Sequence, residues 1–298
     1  MGILYSSNDL NKSTFSFFNT KMVLSLNLEC KGELYREFYG RIIDQIPLLL
    51  ASGRVPLSTK QLMERRIEVR DADFGKQYKG TAHEASIQAV RDSIWTNYFD
   101  TGDGVLYHPD GKIKVVVNAP FLRSLNPESK LSNGALVLSD ELYAQTTDAP
   151  EFTREQVEKE RFATVWLALA QDDTELLKEY RKAVAEELKT RYNYEGQNMN
   201  VFLAPAKNVT TGRSCCVNRC GDGSNADGNG DLDGGDGRLV GVVPEAQGLV
   251  ARSASPEKNA LEKRKAAFTL EEIVELTKDL LQEGKETELR EKLSSLYK

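Results

Sequence analysis

The chain has 298 residues, 40% of them hydrophobic, and a formal net charge of -6. That length admits one large domain or two modest ones, and the negative balance excludes a global pull toward nucleic acid or anionic membrane. No run approaches the ~18 apolar residues of a membrane span, and the four cysteines do not form a disulfide framework, so a soluble, cytoplasmic protein is expected.

The N-terminus lacks a basic start followed by an apolar block and does not read as a secretory signal. Gly2 with Ser6 matches the loose myristoylation pattern, but that pattern fixes only two positions. Residues 1–21 are better read as a disordered extension. From Met22, Leu24, Leu26 and Leu28 alternate with polar residues, the period of a half-buried strand. A helical stripe follows through Leu34, Phe38, Ile42, Ile46 and Leu49. Ser58 with Gln61 is a capping-box signature for a shorter helix through Leu62 and Ile67, and Thr81 with Glu84 repeats it before Ile87, Val90, Ile94 and Tyr98.

Val105–Tyr107 and Ile113–Val117 flank HPDG, a hairpin signal in which Asp110 and Gly111 take the positive-φ positions. Ala135–Leu138 reads as a short strand. Thr153 with Gln156 caps a helix burying Val165 and Trp166, and Asp172, Asp173 or Thr174 caps the next, with Leu177, Tyr180, Val184 and Leu188 as its stripe. Composition changes after Pro205. Residues 206–258 are rich in Gly, Asp and Ser and read as a linker or inserted loop. Residues 259–298 read as a helical tail, with Thr269 and Glu272 capping the stripe Ile273, Leu276 and Leu280. The expected fold is therefore α+β, one mixed domain over residues 22–205, then the linker and the helix pair.

Four constellations bear on chemistry. In the Asp/Gly run, Asp227, Asn229, Asp231 and Asp233 offer alternating oxygen ligands, and Gly234 fits the turn of a calcium loop. The frame then fails, because Val240 stands where a bidentate Glu belongs, and a start at Asp227 puts Leu232 at the Gly position. A solvated acidic linker is the preferred reading. Cys215, Cys216 and Cys220 offer thiolates to zinc, but a closed site wants four ligands, and both histidines are distant in sequence. No cofactor is assigned.

Lys60, Arg65, Arg66 and Arg70 on one helix suggest DNA or RNA binding. Glu64, Glu68, Asp71 and Asp73 offset most of that charge, as on a solvated helix face. Asp100 and Asp103 in DTGDG resemble the DTG signature of aspartic proteases and would make a hydrolase of the chain. Three residues recur easily by chance, and a turn between helix and hairpin is the preferred reading. His83 and His108 sit at a helix start and in a turn, positions that usually face water. The leading expectation is a non-enzymatic binding or assembly protein, meeting a protein partner or itself through the C-terminal helices. Nucleic-acid binding through the 58–70 helix is the runner-up.

Overall fold

Every residue of Phe99–Tyr107 is buried, and so is every residue of Thr211–Val217. Side chains alternate between the faces of a strand, so strands buried throughout require cover on both sides of their sheet. The architecture meets that requirement.

The structure is a computed structural model and describes residues 34–195, 198–205 and 207–243. In chain order it sets out β1 (Tyr35–Tyr39), α1 (Ile42–Ala51), β2 (Val55–Pro56), α2 (Thr59–Glu68), α3 (Glu84–Ser93), β3 (Phe99–Tyr107) and β4 (Lys112–Val116). There follow α4 (Pro120–Arg123), β5 (Leu131–Ser132), β6 (Ala135–Val137), α5 (Asp140–Gln145), β7 (Glu151–Thr153) and α6 (Arg154–Glu160). A π-turn at Phe162–Trp166 leads into α7 (Leu167–Leu169), then α8 (Thr174–Tyr192), β8 (Val201–Phe202), β9 (Thr211–Val217), β10 (Ala226–Asp227) and β11 (Arg238–Val242).

These elements form one α+β domain around a mixed sheet whose main path runs β1-β11-β3-β9-β10-β8. β11 pairs antiparallel with β1 and parallel with β3, and β9 pairs antiparallel with β3. One face of the sheet carries a core with Val105, Tyr107, Val240 and Val242, covered by α2, α3 and α8. The other carries Leu106, Leu239 and Phe38, covered by α1 and α4. Among the described residues no helix is long and apolar enough to cross a membrane.

Local signals hold where they are local. Ser58 and Thr153 each form a complete capping box, with Gln61 and Gln156 respectively, and the Asp173 carboxylate caps α8 by accepting from Leu176 N–H. The hairpin forms in the expected register, with Tyr107 opposite Ile113. Its loop is His108–Gly111, and only Gly111 of the expected pair takes positive φ. At Thr81 the box does not close. Glu84 accepts from Gly80 N–H instead, and α3 begins without a side-chain cap.

Three expectations are corrected. The stripe from Leu34 does not start a helix: Tyr35–Tyr39 is a strand, because its hydrogen-bond partner is β11, with Tyr35 opposite Val242. Phe99 and the DTGDG residues are not a helix end and a turn but the first part of β3, where the register with β9 shifts between Asp100 and Gly104. Residues 207–243, read as linker, supply β9, β10 and β11, so the domain does not end at residue 205. Most of their Gly and Asp residues lie in the connections between those strands, at 218–225 and 228–237. The strand expected at 22–28, the extension 1–21, the rest of the linker and the helical tail 259–298 lie outside the described residues.

Candidate functional site

Asp100 and Asp103 are both buried in β3, at 8% and 0% exposure. Asp103 accepts Thr59 N–H at 2.6 Å and Asn118 N–H at 2.8 Å, one on each oxygen. Its carboxylate thus lies at the N-terminus of α2, where the unsatisfied amides and the helix dipole favour it. Asp100 accepts Arg238 N–H at 2.8 Å. Burial pushes the Asp100 acid up to about 7, against the Arg238 hydrogen bond, with Asp236 and Asp227 adding to the rise. Burial also raises Asp103, against its backbone donors. Each carboxylate is engaged with main chain from a different element, which is the work of a strut across an irregular strand.

Lys60, Arg65 and Arg66 of α2 and Arg70 just past its end do not share an exposed face. Arg66 is fully buried and spends all five N–H donors: Nε on Ile94 O (2.9 Å), Nη1 on Tyr180 Oη (2.8 Å) and Ser224 Oγ (2.7 Å), and Nη2 on the carbonyls of Asn97 and Asn218 (3.1 Å each). Its guanidinium also stands 5.4 Å from the Trp95 ring centroid. Lys60 pairs with Asp173 at 3.2 Å and Arg70 with Glu186, so they tie α2 and the turn after it to the cap and body of α8. Arg65 pairs with Glu68. A phosphate backbone approaching this helix would meet charges already committed within the domain.

The Asp/Gly run is organised around an internal cation. Arg213 of β9 donates through Nη1 to the carbonyls of Asn229 (3.0 Å) and Gly230 (2.8 Å) and to Asp231 Oδ1 (2.7 Å), and through Nη2 to the Asn133 carbonyl. A guanidinium thus gathers oxygens of the kind a calcium ion would take. Asp227 accepts Asn229 N–H at 2.8 Å in a local turn, while Asp233 is on the exposed side of the run. The cysteines diverge as well. Cys215 and Cys216 are neighbours in β9 and face opposite sides of the sheet, and Cys220 lies beside the Val184 carbonyl of α8. Burial raises all three thiols, Cys220 to about 11. Among the described residues no three His, Cys, Asp or Glu side chains converge on a point that would hold a metal.

What the fold does assemble is a cleft of about 360 Å³ between β1, α2, α3 and the 70–83 loop, lined by Tyr35, Arg65, Glu68, Phe74, Tyr78 and Ile87. The loop that walls it is held in place. Arg91 of α3 donates through Nη2 to Asp71 O at 2.7 Å and through Nη1 to Phe74 O at 3.5 Å. Gly75 takes a φ of +78°, and a Cβ there would stand 2.2 Å from Ile87 Cγ2, so only glycine lets the loop lie this close to α3. His83 meets the Tyr78 ring edge-on at 5.8 Å.

The floor of the cleft is polar. The Arg65 side chain is 8% exposed and its Nη1 reaches Glu68, but its Nη2 is buried with no hydrogen-bond partner. Burial raises Glu68 above the usual carboxylate range, against the neighbouring Arg65 charge. Burial likewise raises Tyr35, again against Arg65, so its hydroxyl remains a neutral donor. A larger cleft of about 420 Å³ lies between β4 and the 145–150 segment, walled by Val115, Pro120, Phe121 and Leu142. It has no comparable buried polar floor among the described residues: the nearby Lys114 Nζ donates to the Tyr143 and Thr146 carbonyls.

No protein-family model matches the chain, and no curated protein does. One solved structure is similar in shape. It is described as "Accommodation of massive sequence variation in Nanoarchaeota by the C-type lectin fold", is 16% identical, and spans 72% of this chain and 100% of its own, with a TM-score of 0.48. The α+β class stands on the elements themselves.

Of the residues taken from sequence as candidate site residues, only Arg65 lines this cleft. Tyr35, Glu68, Phe74 and Tyr78 went unselected. One signal pointed there: the stretch from Arg70 to His83, punctuated by Gly75 and Gly80, is longer than a connection between two helices needs.

Proposed function

We propose that this domain is a non-enzymatic binding protein, and that its ligand seats in the Tyr35–Arg65–Tyr78 cleft. The observation that carries the reading is the cleft itself, about 360 Å³, with Phe74 and Tyr78 in its wall and the Arg65–Glu68 ion pair in its lining. A pre-formed, partly aromatic concavity with a few convergent polar groups is the usual form of a small-molecule site. The charges that a nucleic-acid interface or a carboxylate dyad would use are engaged within the fold, which favours this reading over both.

The same reading assigns partner capture or self-association to residues 259–298, on the apolar spacing of Ile273, Leu276 and Leu280. Three free, buried thiols support a reducing, cytoplasmic location.

A thermal-shift screen of the full chain against small metabolites tests the cleft. A ligand that binds only the folded state raises the melting temperature with concentration. At least one compound is expected to do so in the wild type, to lose the effect in Tyr78→Ala, and to be recovered chemically unchanged. Turnover of the compound, or stabilisation untouched by Tyr78→Ala, would sink the reading.

A further inference from the structure

A separate cleft of about 290 Å³ lies between α6 and the sheet edge at β8, and it shares no lining residue with the Tyr35–Arg65–Tyr78 cleft. We infer that it takes a free α-amino acid with an apolar side chain. The ligand carboxylate accepts from Val201 N–H and Arg161, and its ammonium group donates to the Val201 carbonyl and Glu158.

The main chain supplies the centre of this site. β8 ends the path of the sheet and pairs with β10. The carbonyls of Asn200 and Phe202 accept from Ala226 and Gly228 N–H at 2.9 Å each, so they face β10. Backbone groups of successive strand residues point to opposite edges, which turns the N–H and C=O of Val201 toward the cleft. On either side of Val201 the same edge is closed. Met199 O accepts from Trp166 Nε1 at 2.9 Å and from Arg161 Nε at 3.3 Å, and Leu203 O accepts from Arg154 Nη1 at 3.4 Å. One donor and one acceptor are left open between two stoppers, a slot too short for another strand but wide enough for a small molecule. Val201 is partly exposed, and among the described residues neither of its outward groups has a hydrogen-bond partner.

Charge then selects the ligand. Arg154, Val157, Glu158 and Arg161 recur at three- and four-residue spacing along α6 and its C-cap, so they share the helix face that lines the cleft. Opposite charges at such spacing commonly pair on a helix. Here, among the described residues, Glu158 makes no ion pair, and the hydrogen bonds of Arg154 and Arg161 go to main-chain carbonyls alone. Glu158 is exposed and Arg161 partly so, and neither terminal nitrogen of Arg161 is engaged or buried, so a ligand can reach both charges. A cation and an anion held apart beside one open N–H and one open C=O are complementary to a zwitterion. Its carboxylate forms charge-assisted bonds with the guanidinium, and its ammonium group answers Glu158. A carboxylate alone leaves Glu158 facing it unpaired, and an amine alone meets two arginines. Val157 and Phe202, the latter 45% exposed, offer apolar surface to the side chain.

Three probes separate the two ends: L-leucine, N-acetyl-L-leucine, which keeps the carboxylate alone, and L-leucinamide, which keeps the ammonium group alone. Each is titrated into the full-length chain while the Val201 amide signal is followed by NMR. Leucine is expected to bind best. Arg161→Gln should weaken leucine and N-acetyl-leucine by about tenfold and leave leucinamide unweakened. Glu158→Gln should weaken leucine and leucinamide and leave N-acetyl-leucine unweakened. A purely structural role for these residues would not divide the probes in this way. Melting of each variant reports folding, and the exposed Glu158 carries the test should Arg161→Gln fail to fold. A blocked analogue that binds as well as leucine, or variants that weaken all three probes alike, would overturn the inference. A Val201 signal that none of the probes moves at millimolar concentration would overturn it too.

Discussion

Arg66 shows how a charge can belong wholly to the inside of a domain. Its side chain is fully buried and all its acceptors are neutral: two hydroxyls and three carbonyls drawn from α8, the 94–97 segment after α3 and the 218–224 segment. A planar fork is required to reach them together, and a lysine ammonium at the same place reaches at most part of the set. Arg66→Lys and Arg66→Met should each cost about 3 kcal/mol or more of stability, because the abandoned carbonyls are buried. Chemical denaturation measures this. A midpoint unchanged in both variants would mean that the buried network is not holding α2 in place. Arg65, its neighbour in sequence, points the other way around the helix and keeps an unfilled donor. Two adjacent arginines therefore differ in purpose because successive helix residues face different neighbours.

Among the elements, the Asp/Gly run illustrates how oxygen-rich sequence can be satisfied without a metal. Its carbonyls at Asn229 and Gly230 and the Asp231 carboxylate all accept from one guanidinium of β9. Arg213 is buried, and the Asn133 carbonyl before β6 shares it. Arg213→Met is expected to lower stability by about 2–4 kcal/mol through the loss of these charge-assisted bonds. Millimolar calcium is expected to leave the wild-type melting temperature where it is, since the cation position is occupied by the protein's own side chain. A calcium-dependent rise in wild-type stability would show that the run carries a metal site apart from Arg213.

On the scale of the whole molecule, β11 is the keystone of the sheet. It lies between β1 and β3 and so joins the first described strand to the middle of the chain. Leu239, Val240 and Val242 are at most 3% exposed, and burial of such side chains contributes roughly 2 kcal/mol each. That is large beside a net domain stability of about 5–15 kcal/mol. Deleting residues 206–243 also removes β9, the long partner of β3, and is expected to abolish cooperative unfolding altogether. A deletion variant that melts as sharply as the wild type would return this segment to the status of a linker.

The parts of this fold that were legible in the sequence are those whose cause lies within a few residues. Capping boxes at Ser58 and Thr153, the turn at Gly111 and the stripe of α8 each depend on contacts between near neighbours along the chain, and each forms. Tyr35–Tyr39 and Arg238–Val242 are strands only because they find each other across most of the chain. Apolar spacing alone lent Tyr35–Tyr39 a helical signature, and turn-rich flanks lent Arg238–Val242 the composition of a linker. The candidate site follows the same rule. Arg65 was visible as a basic residue, but its neighbour Glu68, the Tyr35 hydroxyl and the aromatic wall of the 70–83 loop meet it only in three dimensions. Local periodicity thus determined helices, caps and the hairpin. Tertiary structure decided which strands pair and which charges are spent inside, because those outcomes depend on partners that the chain brings together only by folding.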